Sequence, residues 1–173
     1  MIALPIQTER LLLRPFCDAD LEPYCAEFTQ EVTKYQYPDP FPDRDTAKAV
    51  MSGFVADMKQ GKMLELVILS PDGTFLGSLE AFDLMGQTPE LGLWLKRSAR
   101  GKGYGCEALK GLIDALNATG AYSSYRYCVD IRNAASVRLV EKFHGKKKEF
   151  ERVTTSSGKV LFSQTYSIPS GRA

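Results

Sequence analysis

Between Glu90 and Ile131 the chain reads strand, glycine-rich loop, helix, strand, and that order leaves few ways to fold. In Glu90–Leu95, Leu91, Leu93 and Leu95 alternate with Glu90, Gly92 and Trp94, giving one apolar and one mixed face. After the loop, Ala108, Leu109, Leu112 and Leu116 share one side of a helix expected over residues 104–117, with Gly120 near its end. Tyr125, Tyr127, Val129 and Ile131 then alternate as another strand. Strand, helix and strand in succession imply a parallel pair with a right-handed crossover. Inside a sheet otherwise made of hairpins, such a pair must diverge or be flanked by helices. Its carboxyl end is then a natural place for a ligand.

The rest of the chain supplies those hairpins. Arg10–Phe16 reads as a first strand stopped by Pro15, and Asp18 or Asp20 can cap a short helix to about Phe28. Tyr35–Pro42 holds three prolines and three aromatics and is expected to be an irregular loop. Past a capping Asp43, the residues Ala47, Val50, Met51, Phe54, Val55 and Met58 keep a helical period that ends at Gly61. That stripe of methionines and aromatics reads as core rather than binding face. Leu64–Leu69 and Thr74–Leu84 are strands joined by the turn Ser70-Pro-Asp-Gly73. A helix from Ala134 to His144, stopped by Gly145, precedes a terminal hairpin of Lys147–Val153 and Lys159–Ser167. The expected fold class is α/β (α+β): a mixed, mostly antiparallel central sheet with one splayed parallel pair, flanked by about four helices. Neither repeat nor linker breaks the 173 residues, so they read as one domain, 1–173.

Composition narrows the function classes. Basic residues number 22 against 21 acidic, for a net charge of +1, which argues against a dedicated nucleic-acid binder. Cys17, Cys25, Cys106 and Cys128 form no C-x-x-C pair and have no histidine cluster, so neither a disulfide framework nor a metal site is expected. The apolar runs are too short to span a bilayer and the N-terminus lacks a signal-peptide pattern. The expectation is a cytoplasmic protein with no membrane partner, either monomer or homodimer.

The strongest chemical signal is the loop Arg100-Gly-Lys-Gly-Tyr-Gly105 between strand and helix. Its glycines let backbone N–H groups converge without obstruction by Cβ atoms, and the helix N-terminus adds free donors and the positive end of a dipole. Lys96, Arg97, Arg100 and Lys102 concentrate charge that the near-zero total conceals. The P-loop pattern fails at Cys106 and Glu107, where Lys and Ser/Thr are required. The dinucleotide fingerprint fails because its third glycine would fall on Cys106 or Ala108. A second signal is Asn133-Ala-Ala-Ser136, where the asparagine amide can cap the following helix or meet a ligand at the same mouth.

At these residues the chain resembles the GNAT superfamily of N-acetyltransferases. Arg100–Gly105 matches its R/Q-x-x-G-x-G/A signature, and Asn133–Ser136 matches its second segment. Thr8-Glu-Arg-Leu-Leu-Leu-Arg-Pro15 and Glu90–Leu95 look like the branch of ribosomal-protein N-terminal acetyltransferases. The resemblance implies the GNAT fold, with acetyl-coenzyme A as co-substrate, an amine acceptor and no metal. It implies pyrophosphate on the N–H groups of Arg100, Gly101, Lys102, Gly103, Tyr104 and Gly105. Pantetheine would pair with backbone around Leu93 and Leu95, with Asn133 near the thioester or pantetheine arm.

Direct transfer from a thioester needs a base for the protonated amine. Glu90 is the first choice, because it begins the cofactor-binding strand and corresponds to a carboxylate in many relatives; Glu80 on the preceding strand is second. Many relatives carry a Tyr four residues beyond the Ser136 position as acid for the leaving thiolate, and here Val140 stands there. Either Ser136 assists in its place or coenzyme A simply leaves as thiolate. The acceptor implied is a protein N-terminus or a small amine such as a polyamine, aminoglycoside or amino acid. The opposing reading is a non-catalytic acyl-coenzyme A-binding protein.

Overall fold

The protein is described by a computed structural model covering residues 2–171. Eight strands form one sheet: β1 (Ile6–Gln7), β2 (Leu12–Pro15), β3 (Leu64–Leu69), β4 (Phe75–Phe82), β5 (Glu90–Leu95), β6 (Ser124–Asp130), β7 (Lys146–Thr154) and β8 (Val160–Pro169). Their spatial order is β1-β2-β3-β4-β5-β6-β8-β7. All neighbours are antiparallel except β5 and β6, as the crossover argument requires. Four helices cover the sheet: α1 (Leu21–Glu27), α2 (Arg44–Lys59), α3 (Tyr104–Thr119) and α4 (Ala134–Lys142). The short β1, paired through Ile6↔Leu13, is the one strand the periodicity reading passed over. Two residues are too few to show alternation.

Local chemistry sets the element ends. Asp43 caps α2 by accepting from the Thr46 N–H at 2.7 Å. Gly120 ends α3 in the left-handed region, and the β3–β4 turn closes with a Gly73 N–H to Ser70 carbonyl bond of 2.9 Å. The fourth helix stops at Lys142, two residues short of the expected His144, whose φ of +58° has already left the helix.

The two faces of the sheet bury separate cores. One gathers Leu66, Leu79, Leu91, Leu109, Leu112 and Tyr125 with α3 and α4. The other packs Phe16, Tyr24, Phe28, Met51, Val67 and Trp94 with α1 and α2. Strand alternation divides β5 between them, so Trp94 on the mixed face is buried among the rings of Tyr24, Phe28 and Phe75. The basic run Lys146–Lys148 opens β7, which is exposed along its whole length.

Candidate active site

The parallel pairing is brief. Glu90 faces Arg126 and Leu91 faces Tyr127, and beyond them β5 stays with β4 while β6 continues with β8. From Gly92 onward, β5 therefore has no strand partner on its β6 side, and a cleft opens there. α3 begins beside one strand and α4 after the other. Gly105 allows close packing of α3, since a Cβ there would lie 3.1 Å from the Leu93 side chain.

The loop at the cleft's outer end is a row of backbone donors. Gly101 and Gly103 take φ of +74° and +83°, a region that side chains disfavour. Among the described residues, the N–H groups from Gly101 to Cys106 have no acceptor in the chain; the first helical bond runs from Glu107 to the Gly103 carbonyl. Such a set of orphan donors at a helix start fits a phosphate. The neighbouring cations are arranged differently from the expected cluster. Arg97 and Arg100 reach Glu31 at 3.2 and 3.6 Å, and Lys96 leans toward Glu27 at 3.9 Å. Arg100 also donates to the Leu95 carbonyl at 3.1 Å. Glu27 and Glu31 come from the α1 region, so nothing in the loop's own sequence announced them. The unsatisfied groups here are backbone amides.

At its inner end the cleft becomes a cavity of about 250 Å³, lined by Glu80, Glu90, Leu91, Leu93, Tyr127, Asn133 and Ser136. Leu95 and the glycine loop lie outside this inner space. Asn133 accepts from the Ser136 N–H at 3.2 Å and so caps α4. Ser136 Oγ donates to the Tyr127 hydroxyl at 3.2 Å, which leaves the phenol hydrogen free. Burial pushes the Tyr127 phenol up to about 12 despite the Ser136 hydrogen bond, so it stays protonated. Val140 is fully buried in the core below α4 and brings no polar group to the cavity.

The two carboxylates singled out above occupy different surroundings. Glu90 pairs with Arg126 at 3.2 Å. Glu80 has no cation within ion-pair distance among the described residues, and burial raises its pKa to about 7 against a lowering Ser78 hydrogen bond. Its register partners are Glu65 on one side and Gly92 on the other. A methyl group at Gly92 would strike the Glu80 carboxylate, so the glycine makes room for it. Glu65 is fully buried, and its Oε2 has no hydrogen-bond partner among the described residues. Burial, then the Glu80 charge, holds its carboxyl well above the usual carboxylate range. Ser78 bridges Glu65 Oε1 and the Leu66 carbonyl. A hydroxyl has one hydrogen, so a protonated Glu65 satisfies both contacts at once.

Aromatic rings close the cavity. Tyr24, Phe28, Tyr35, Tyr37, Phe41 and Phe54 line it, joined by Phe82 and by Val50. The helical stripe read as core is therefore divided: Ala47 and Met51 are buried under α2, whereas Val50 and Phe54 face the cavity. Glu65, Tyr127 and Tyr24 escaped sequence reasoning. Each sits at an ordinary strand or helix position, and no motif marks it.

The model of the acetyltransferase (GNAT) domain family matches residues 10–146. The chain belongs to the GNAT acetyltransferase family. Its enzyme class is N-acetyltransferase. No curated protein matches the sequence. Among solved structures, the Vibrio cholerae spermidine N-acetyltransferase in complex with coenzyme A and spermine superposes with a TM-score of 0.81 at 14% identity, covering 92% of this chain and 95% of that one. Mycobacterium smegmatis RimJ in complex with coenzyme A disulfide gives 0.80 at 19% identity, over 92% and 81%. RimL, the ribosomal L7/L12 α-N-protein acetyltransferase bound to coenzyme A, gives 0.82 at 15% identity, over 96% and 97%. These likenesses show the shared fold. No helix among the described residues is long and apolar enough to cross a membrane, and no group of three or more His, Cys, Asp or Glu is placed to hold a metal.

Proposed function

We propose that the protein transfers an acetyl group from acetyl-coenzyme A directly to a primary amine, with Glu80 as general base. One observation carries this reading: the split between β5 and β6 has a row of free backbone donors at one end and, at the other, a carboxylate with a pKa of about 7. Gly101–Cys106 would hold the coenzyme's phosphates, and the edge of β5 at Leu93 and Leu95, which has no strand partner, would hold its pantetheine arm once Arg100 yields the Leu95 carbonyl. The thioester supplies the acetyl group and a thiol leaving group.

The chain's own groups manage the protons. An ammonium loses two on becoming an amide; one ends on the departing sulfur and one reaches solution. A C–N bond forms as the C–S bond breaks. Glu80 removes a proton from the amine, which its raised pKa suits at neutral pH. Glu90 is tied to Arg126 and serves the site as a wall rather than as the base. The hydroxyl pair of Ser136 and Tyr127 is the proton source for the sulfur, in the place where relatives use the residue corresponding to Val140. Asn133 orients Ser136 by capping α4.

Likeness to RimL supports a protein N-terminus as acceptor, and likeness to the spermidine enzyme supports a small amine. Thiol release from acetyl-coenzyme A across an amine panel, at about pH 6 to 9, tests the reading. Acetylation that rises with pH through about 7 is expected. If coenzyme A binds but no amine is acetylated at any pH, the non-catalytic binding reading replaces it.

A further inference from the structure

The acids around the cavity are not equivalent. Glu90 pairs with Arg126 at 3.2 Å, and Asp130 with Arg132 at 2.6 Å. Asp39, beside the lining Pro38, is paired with Lys159, whose Nζ also donates to the carbonyls of Thr33 and Gln36. Glu80 alone among the lining acids has no cation among the described residues. Glu65 behind it lacks one too, but the pair lies side by side under the chamber and cannot hold two charges cheaply. The chamber thus offers one net negative charge. Around it stand rings, which pack against carbon and carry no full charge to answer a second cation. Tyr24, Phe28 and Phe41 stack on one another with centroids 5.6 to 6.4 Å apart, and Phe54 meets Phe82 at 6.3 Å. At about 250 Å³ the cavity is small. Pockets for drug-sized ligands occupy roughly 300–1,000 Å³.

We infer that the acceptor is a monocationic primary amine carried on an apolar or aromatic group, its ammonium meeting the one uncompensated carboxylate and its carbon skeleton filling the ring-lined chamber. The inference rests on the acetyltransferase reading and sharpens it to a substrate class. A polyamine places a second ammonium among rings with no anion left to pair with it, and a buried unpaired charge is strongly disfavoured. Two sources carry the favoured chemistry: a free apolar amine, or the α-amine of a peptide with an apolar first residue.

Initial rates of thiol release from acetyl-coenzyme A test it, with phenethylamine and isoamylamine as free amines, Phe-first and Ser-first peptides, and putrescine and spermidine as polycations. The best apolar acceptor should exceed spermidine in kcat/KM by about 100-fold or more. Whether phenethylamine or the Phe-first peptide leads identifies the source. A polycation or the Ser-first peptide in the lead overturns the inference and leaves the acetyltransferase reading standing. No acetylation in any arm, with coenzyme A binding seen by calorimetry, overturns both. Arg126→Ala adds a gain-of-function readout. It frees Glu90, so the putrescine to phenethylamine ratio of kcat/KM should rise about tenfold or more. An unchanged ratio in folded, active variant protein refutes the charge argument.

Discussion

The two ends of the cleft are built in opposite ways. The Arg100–Gly105 loop is a contiguous stretch whose donors are its own backbone amides, oriented by two positive-φ glycines and the start of α3. The cavity proposed to take the acceptor is assembled from far apart in the chain: Tyr24 and Phe28 at α1, Phe54 on α2, Glu80 on β4 and Tyr127 on β6, with Glu65 on β3 buried behind Glu80. A contiguous site keeps its shape through local conformational rules. An assembled one depends on register and burial, so single changes should have larger and more selective effects there.

The largest effect should come from Glu80→Gln, which removes the proposed base and leaves the loop intact. A kcat loss of about 10²–10⁴ with unchanged coenzyme A affinity is expected, together with loss of the acid limb near pH 7. Weaker coenzyme A binding in this variant would break the division between the two ends. Next, Gly92→Ala should push the Glu80 carboxylate aside while the protein still folds, since the clash is with the end of a flexible side chain. Loss of up to about 100-fold in kcat would follow from the misplacement. Normal kcat would show that Glu80 needs no fixed position.

Gly103→Ala should act on the other end. Its φ of +83° is strained for alanine, and a roughly tenfold rise in the KM for acetyl-coenzyme A with little change in kcat is expected. A kcat loss with unchanged KM would mean that the loop serves the chemistry instead. A smaller effect concerns stability. Because the folded pKa of Glu80, about 7, lies above its ordinary 4.5, its stabilising contribution is complete below pH 4.5 and fades as pH rises through 7. Glu80→Gln removes that fading, so its Tm relative to the parent should climb between those pH values and then level off. A flat difference across the range would place Glu80 in water. Smallest of all, Arg97→Ala should change the acetyl-coenzyme A KM by less than about threefold, since an exposed side chain already paired with Glu31 has little to give.

How much of this was readable from the residues follows the same division. Leu91, Leu93 and Leu95 in alternation, the period through Leu109, Leu112 and Leu116, and the glycines between them announced the parallel pair and its loop. Glu90 and Glu80 were both visible as candidate bases, but spacing says nothing about which carboxylate has a cation beside it. Arg126 decides that, and it lies 36 residues from Glu90 along the chain. On sequence alone the aromatics of the loop Tyr35–Pro42 could be either packing or a pocket wall; in the structure Tyr35, Tyr37 and Phe41 line the cavity, and Phe41 also stacks on Tyr24 and Phe28. The local concentration of basic residues was visible, but Glu27 and Glu31, which answer it, were not.

By itself, the sequence determined the features that obey local rules: helical and strand periods, positive-φ turns, and a run of amides that a helix start leaves unbonded. Only the tertiary structure decided where charge survives uncompensated. Burial and pairing are properties of neighbours, and the neighbours of Glu80 are supplied by the β3–β4–β5 register through Glu65 and Gly92. Taking the Glu80 carboxylate out of water raises its pKa to about 7, a value that no list of its flanking residues contains.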